Sequence, residues 1–104
     1  MSVLMNFAIF PTDKGDSVSK YVSQVLAMVR DLGYAYKLSA MGTVVETDTL
    51  DQSLDVIKKA YEILNSYSDR VYAVANFDIQ TNKPIGRIDG KIKSIESKIG
   101  SINK

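Results

Sequence analysis

Two chemically versatile residue types are missing from this chain, because it contains no cysteine and no histidine. Without cysteine it has no disulfides, thiolate zinc sites, iron–sulfur clusters or thiol nucleophiles. Without histidine it lacks the commonest metal ligand and the usual general base at neutral pH. Carboxylate, lysine, tyrosine and hydroxyl groups remain, and oxygen atoms can still ligate a hard cation. We therefore predict a protein that is not an enzyme and has no metal site and no cofactor.

The chain also lacks a strong charge of one sign and a long hydrophobic run. Its 13 basic and 12 acidic side chains leave a net charge of +1, which argues against a nucleic-acid partner bound through a basic field. No apolar stretch approaches the roughly 20 residues that cross a bilayer, so we expect no membrane partner. The first apolar run has no basic start and ends at Pro11, unlike a signal peptide. The predicted location is the cytoplasm.

The first part of the chain predicts two strands separated by a helix. Residues 3–10 form a dense apolar run that suits a central strand. Ser17 is suited to be the N-cap of a helix whose apolar stripe continues to Leu32, and Gly33 is suited to be its C-cap. Residues 34–38 then predict a second strand.

The remaining chain predicts two more strands and two more helices. Thr49 and Gln52 have the spacing of a capping box, which predicts the start of the second helix. A turn, the third strand, the fourth strand and a short terminal helix are predicted at residues 39–42, 43–46, 70–79 and 88–99.

The order β-α-β-β-α-β, followed by the terminal helix, is the ferredoxin-like pattern of an α+β protein with a four-stranded antiparallel sheet. We predict one such domain over residues 1–104, in which 45% of residues are hydrophobic. Right-handed crossovers place both main helices on one face of the sheet, so the other face is expected to be bare. Both alternating residue sets of the first strand are largely apolar, and a bare apolar face is unusual in a monomer. We expect a second copy of the chain to cover it.

An open ferredoxin-like face has three known kinds of use. RNA binding needs aromatic residues on both central strands, and the third strand offers none. Metal-carrying versions use paired cysteines, which are absent. Small-ligand binding at a subunit interface needs a few polar groups in an apolar setting, and the sheet supplies Asn6, Thr43, Glu46, Asn76 and Asp78. The pattern therefore favours a small-molecule partner.

Three stretches carry a resemblance to a known family: FPTDKGDSVSKYV, GYAYKLSAMGTVVET and LDQSLDVIKKAYE, with Met41-Gly42-Thr43-Val44-Val45-Glu46 as the most specific block. By these stretches nearly the whole chain resembles the YkoF-like thiamine-binding family of small, long uncharacterised proteins. The resemblance implies the ferredoxin-like fold and association through the sheets into homodimers or homotetramers. It also implies binding of thiamine or its hydroxymethylpyrimidine portion, without known catalysis.

This ligand class suits the polar and aromatic residues of the predicted site. The predicted ligand-binding residues are Asn6, Phe10, Met41, Thr43, Glu46 and Asn76. Glu46 is suited to accept from the aminopyrimidine amino group or to offset the thiazolium charge. Thr43 and the asparagines would complete the hydrogen bonds, and Met41 or Phe10 would pack on the ring. Because Thr43 and Glu46 are three residues apart, a regular strand points them to opposite faces.

Structural roles for the same residues remain open alternatives. Gly42 is suited to a turn that needs its backbone freedom, and Thr43 is a common strand residue. Glu46 is suited to cap the second helix or to pair with a lysine, and Asn6 to hydrogen-bond at a subunit interface. The alternative function is an interaction protein whose open face only drives homo-oligomerisation and which retains no ligand site.

Overall fold

The computed structural model describes residues 1–104 and contains seven helices and strands. They are β1 (Ser2–Pro11), α1 (Ser19–Leu32), β2 (Ala35–Ser39), β3 (Gly42–Thr47), α2 (Leu50–Asn65), β4 (Val71–Gln80) and α3 (Arg87–Ile99). The strands form one antiparallel sheet in the order β2-β3-β1-β4. This confirms the predicted α+β, ferredoxin-like fold with a terminal helix. None of the three helices is long and apolar enough to cross a lipid bilayer.

The hydrophobic core lies between one face of the sheet and the first two helices. Alternate residues of β1 point to this face because side chains alternate along a strand. The buried apolar residues of the core are Met5, Phe7, Ile9, Val25, Val29, Val45, Val56, Ala60 and Leu64. The other β1 set, which includes Asn6 and Phe10, therefore lies on the second face of the sheet.

The helix ends follow local capping rules in two of three predicted cases. Thr49 and Gln52 form the predicted capping box at the start of α2, and Gly33 ends α1 in the left-handed conformation with φ 84°. The prediction that Ser17 caps α1 is wrong, because α1 begins two residues later with Val18 at the cap and no side-chain hydrogen bond there. No side chain therefore caps α1, and its stability comes mainly from the packing of its apolar face.

The second face of the sheet is not bare, contrary to the expectation from topology. The terminal helix α3 lies across it and contacts β1, β2 and β3. No residue of α3 is fully buried, so the helix packs only loosely against the sheet. The half of this face formed by β1 and β4 stays open. Its apolar surface, termed the open strip, consists of the exposed Tyr72 and Val74 and the half-buried Ala8 and Phe10.

Candidate functional site

A notch forms where β3 is shorter than its neighbour β1. The pairing of β1 with β3 ends at Phe7 and Thr43, whereas the pairing of β1 with β4 continues to Pro11. The last residues of β1 therefore have a partner strand on one side only. Backbone N–H and C=O groups at such an edge remain available to bind another molecule.

The notch opens into a cavity of about 270 Å³, termed the edge pocket. It lies between the end of β1, the β2–β3 hairpin and the first turns of α1. Its walls are mainly apolar, its polar side chains are the hydroxyls of Ser39 and Thr43, and no charged residue lines it. The apolar residues that define the pocket are Phe7, Phe10, Val18, Val22, Leu38 and Met41. A pocket of this kind suits a small, uncharged, largely flat molecule.

The two hydroxyl groups of the edge pocket differ in how they are used. The Ser39 hydroxyl donates to the Gly42 carbonyl at 3.0 Å and accepts from the Met41 N–H at 3.3 Å, so it holds the hairpin turn. The Thr43 hydroxyl has no hydrogen-bond partner within the chain. Every side-chain polar atom that is completely shielded from solvent does have a partner, so the Thr43 oxygen is not completely shielded. This hydroxyl therefore faces accessible space in the pocket. Thr43 is otherwise buried, which fixes its position.

Gly42 is required by close packing rather than by backbone freedom. Its φ is not positive, so a turn conformation reserved for glycine is not the reason for its presence. A Cβ at this position would lie 2.9 Å from Asn6 Oδ1 and 3.0 Å from the Phe7 carbonyl oxygen. Both distances are shorter than a van der Waals contact. Gly42 therefore lets the Asn6 side chain lie over the start of β3.

Glu46 lies at the opposite end of β3, beneath the start of α3. Its carboxylate accepts hydrogen bonds from the Ser2 hydroxyl and from the backbone N–H groups of Gly86 and Arg87 at 3.1–3.2 Å. The side chain of Arg87 in turn contacts Ser2 and Asp78. The carboxylate thus caps the positive end of α3. Of the two structural alternatives, a cap on the second helix is wrong, because the helix that Glu46 caps is α3.

The surroundings of Glu46 favour its ionised form. Burial, which leaves the residue 2% exposed, by itself would raise the pKa of the carboxyl group. The hydrogen bonds from Ser2 and from the backbone of Arg87, Gly86 and Ile88 oppose it, and together they lower the pKa below its usual value. Because donors of its own chain surround this carboxylate, its role in the structure is to hold the start of α3 against the sheet.

The structure distributes the six predicted site residues over three places. Phe10, Met41 and Thr43 line the edge pocket, and Met41 is 87% exposed at the hairpin tip. Asn6 and Asn76 are paired neighbours on the second face of the sheet. Glu46 lies under α3, on the same face as the asparagines but opposite Leu4 rather than Asn6. The prediction that Thr43 and Glu46 face opposite sides is confirmed, because Thr43 pairs with the core residue Phe7 and Glu46 pairs with Leu4.

Two features were not predicted from the sequence: the wall that α1 contributes to the edge pocket, and the contacts of Arg87 that attach α3 to the sheet. Val18 and Val22 belong to an apolar helical stripe, which ordinarily indicates core. Arg87 follows a loop, and no local pattern pairs it with Ser2 across the sheet. The pocket wall and the hydrogen bonds between Arg87 and Ser2, which are 85 residues apart, both depend on tertiary placement, so neither leaves a local signal. No group of three acidic side chains is close enough to hold a metal ion.

Comparison with known proteins places this arrangement in a family. The sequence profile described as "Thiamine-binding protein" matches residues 5–96. A UPF0045 protein of Methanothermobacter thermautotrophicus is 34% identical over 84 residues, which cover 80% of this chain and 84% of the relative. A crystal structure of a hypothetical protein from the archaeon Methanocaldococcus jannaschii has a TM-score of 0.78 and 36% identity, and the match covers 90% of this chain and 95% of that one.

A more distant structure has the same fold. It is a Thermotoga maritima protein assigned provisionally to thiamine biosynthesis or salvage, with a TM-score of 0.78 and 15% identity. The match covers 91% of this chain and 99% of the other. The family profile spans both the hairpin that builds the edge pocket and the start of α3. By this profile and these relatives, the chain belongs to the thiamine-binding protein family.

Proposed function

We propose that this protein binds the hydroxymethylpyrimidine portion of thiamine in the edge pocket and catalyses no reaction. The observation that carries the proposal is the free Thr43 hydroxyl in an apolar pocket beside an unpaired strand edge. Membership of the thiamine-binding family supports the choice of ligand. In this proposal the protein works in the cytoplasm and buffers, delivers or senses its ligand.

The chemistry of an aminopyrimidine complements the polar groups of the pocket. Its ring nitrogens accept hydrogen bonds and its amino group donates them. The Thr43 hydroxyl can do both, and the one-sided end of β1 offers backbone donors and acceptors. Phe10 and Met41 supply an aromatic and a thioether surface for the ring. A pyrimidine would thus meet partners for its edges as well as its faces.

Charge and size favour the pyrimidine half over the thiazolium half. No carboxylate lines the edge pocket, so a thiazolium cation would lack a counter-charge there. Glu46, which we expected to offset that cation, is occupied by the start of α3. The volume of about 270 Å³ falls below the range of about 300–1,000 Å³ that is usual for ligand pockets. A single small ring fits such a space better than two linked rings.

Calorimetric titration with hydroxymethylpyrimidine, thiamine and the thiazole alcohol tests the proposal. We expect the pyrimidine to bind, thiamine to bind through its pyrimidine half and the thiazole not to bind. Thr43→Val should weaken pyrimidine binding about two- to tenfold, because it removes one hydrogen bond. Thr81→Val, in the exposed loop after β4, is the matched control and should bind like the natural protein. Absence of pyrimidine binding at millimolar concentration would refute the proposal.

The second part of the proposal is self-association through the second face of the sheet. The open strip carries Tyr72 at 53% and Val74 at 50% exposure, and the rings of Phe10 and Tyr72 lie 5.7 Å apart. The edge strand β4, to which Tyr72 and Val74 belong, has ten residues without proline or lysine, although natural edges usually carry such protection. A second copy would cover this surface, and Asn6 with Asn76 would lie inside the interface. Pairs of dimers would then form the homotetramer.

Light scattering at micromolar concentration tests this association. We expect an oligomer, and we expect Val74→Lys to shift it toward monomer because a charge would be buried at the interface. Lys substituted for the equally exposed Leu54 on α2 is the control. An oligomer with no affinity for any of the three small molecules would favour the second candidate function, an assembly protein without a ligand site. A monomeric natural protein would refute both the assembly and that second candidate.

A further inference from the structure

The incomplete contact between α3 and the sheet leaves a second, larger cavity. It has a volume of about 840 Å³, roughly three times that of the edge pocket. We term it the helix groove and define it by Leu4, Lys37, Val44, Lys83, Lys91 and Ile92, which lie on its floor, wall and rim. None of its residues on α3 is fully buried, so the helical side of the groove is accessible to solvent.

The floor and one wall of the helix groove are apolar. Leu4 and Val44 form the floor, on the central strands β1 and β3. Ile88, Ile92 and Ile95 recur at helical spacing on α3 and form the facing wall. An amphipathic helix ordinarily buries such a stripe completely. Here the stripe stays apart from the floor by enough space to admit a ligand.

The charges around the helix groove are nearly all positive. Lys37, Lys83 and Lys91 line it and form no ion pair with any acidic residue of the chain. The only acidic residue of the lining, Asp78, is paired with Arg87 at 2.9 Å. A fourth lysine, Lys104, is paired with Glu96 at 2.8 Å. Three unpaired ammonium groups therefore lie around an apolar space, although the whole chain is almost neutral.

We propose that the helix groove binds an amphipathic organic anion. Its apolar body would lie between the isoleucines of α3 and the sheet, and its phosphate, sulfonate or carboxylate group would lie among Lys37, Lys83 and Lys91. Thiamine itself is a poor candidate, because its thiazolium cation would be repelled by these lysines. The site is therefore separate from the edge pocket in place and in the charge of its ligand, and it does not depend on the proposed pyrimidine binding.

Two fluorescent probes that differ in one charged group test this proposal. 8-Anilinonaphthalene-1-sulfonate has an aromatic body with a sulfonate, and N-phenyl-1-naphthylamine has the same body without it. We expect the sulfonate to bind at one site per chain, at least tenfold more tightly than the neutral probe, and more weakly as salt rises. Phenyl phosphate should displace it, whereas benzyl alcohol should not. Equal affinity for the two probes, or no displacement by phenyl phosphate, would overturn the proposal.

Lysine variants locate the anion in the groove. Lys37→Gln and Lys91→Gln should each weaken sulfonate binding about two- to fivefold, the effect of losing one partly exposed charge pair, and the double variant more. The control is the double variant Lys58→Gln with Lys93→Gln, which has the same net charge. Lys93 lies on α3 outside the groove and Lys58 on α2, both exposed.

The control should bind like the natural protein, and circular dichroism should show both double variants to be folded. Equal losses in the two double variants would mean that the probe responds only to net charge. Unchanged binding in both would place the probe elsewhere, for example on the open strip. Either result would overturn the assignment to the helix groove. Pyrimidine binding, measured on the same variants, should be unchanged, so that failure of one site is distinguished from failure of the other.

Discussion

At one end of β3 the Thr43 hydroxyl has no partner inside the chain, whereas at the other end the Glu46 carboxylate is surrounded by donors. Both residues are buried, and both belong to the block by which the chain resembles thiamine-binding proteins. The Thr43 hydroxyl is held in place without a hydrogen-bond partner, whereas the Glu46 carboxylate is held in place by several hydrogen bonds. A polar residue in a strand is therefore a candidate for binding only when no group of its own chain forms a hydrogen bond with it.

The largest expected effect comes from removing the satisfied group. Glu46→Ala leaves the Ser2 hydroxyl and the N–H groups at the start of α3 without their acceptor. We expect the free energy of unfolding to fall by about 2–4 kcal/mol, as for buried hydrogen bonds to a charged group. Urea denaturation followed by circular dichroism measures it. Glu62→Ala, exposed on α2, should change little. A loss no larger than that of Glu62→Ala would contradict the structural role of Glu46.

A somewhat smaller loss is expected at Gly42, where β3 begins. Gly42→Ala places a methyl group against Asn6 and the backbone of Phe7, and such overpacking costs about 1–3 kcal/mol. Asn6→Ala in the same chain should recover part of the loss, since it removes one of the two close contacts. Chemical denaturation of the single and double variants measures the recovery.

Gly90→Ala provides a matched control of opposite sign. No atom lies within 4 Å of a Cβ at this helical position, so the substitution should stabilise the protein by up to about 1 kcal/mol. If Gly42→Ala were as harmless as Gly90→Ala, the close approach of Asn6 to β3 would not constrain the fold.

Acid titration tests the Glu46 end of β3 in the natural protein, because Thr43 at the other end has no titratable group. Because hydrogen bonds lower the pKa of Glu46 in the folded state, its carboxylate stabilises the fold above the ordinary pKa of 4.5, and this contribution is lost as pH falls through the lower folded value. The free energy of unfolding should thus fall on acidification, by at most about 1.4 kcal/mol per pH unit for one proton. In Glu46→Gln this part of the slope should vanish.

The carboxyl group of Asp13 also has a lowered pKa, so it too makes the free energy of unfolding fall on acidification. Its contribution has to be separated from that of Glu46. The hydroxyl of Ser68 is the main cause of the lowered pKa of Asp13, and the Asp69 backbone adds to it. The titration is therefore best compared between Asp13→Asn and the double variant with Glu46→Gln. Identical slopes for these two proteins would show that Glu46 does not titrate with the fold.

The fold was predictable because periodicity acts locally. The dense apolar run of β1 and the capping box of Thr49 and Gln52 each specify their own segment, and the order of segments then selects the ferredoxin-like topology. The position of α3 was not predictable in this way. An isoleucine stripe shows that the helix has an apolar face, but it does not show which surface of the sheet that face meets, or how closely.

The same limit explains why the predicted site residues do not all line one pocket. Phe10, Met41 and Thr43 lie near the hairpin and the end of β1, where the family resemblance is strongest. Glu46 was interpreted as a ligand contact because a carboxylate suits an aminopyrimidine or a thiazolium cation, and its partners in the fold are distant in sequence. Its partners Gly86 and Arg87 are 40 and 41 residues away. Whether a buried polar group is free or satisfied is therefore a property of the tertiary structure.

The smallest expected change in stability is that of a substitution at Thr43, in contrast to the large loss expected at Glu46. Because the Thr43 hydroxyl has no partner within the chain, Thr43→Val loses no internal hydrogen bond and adds apolar contact with the edge pocket. The free energy of unfolding should stay within about 0.5 kcal/mol of the natural protein. Ser39→Ala is the contrasting variant, since the Ser39 hydroxyl has two partners in the hairpin, and it should lose about 0.5–1.5 kcal/mol. Equal losses in these two variants would mean that the Thr43 hydroxyl is used within the fold and is not held free for a ligand.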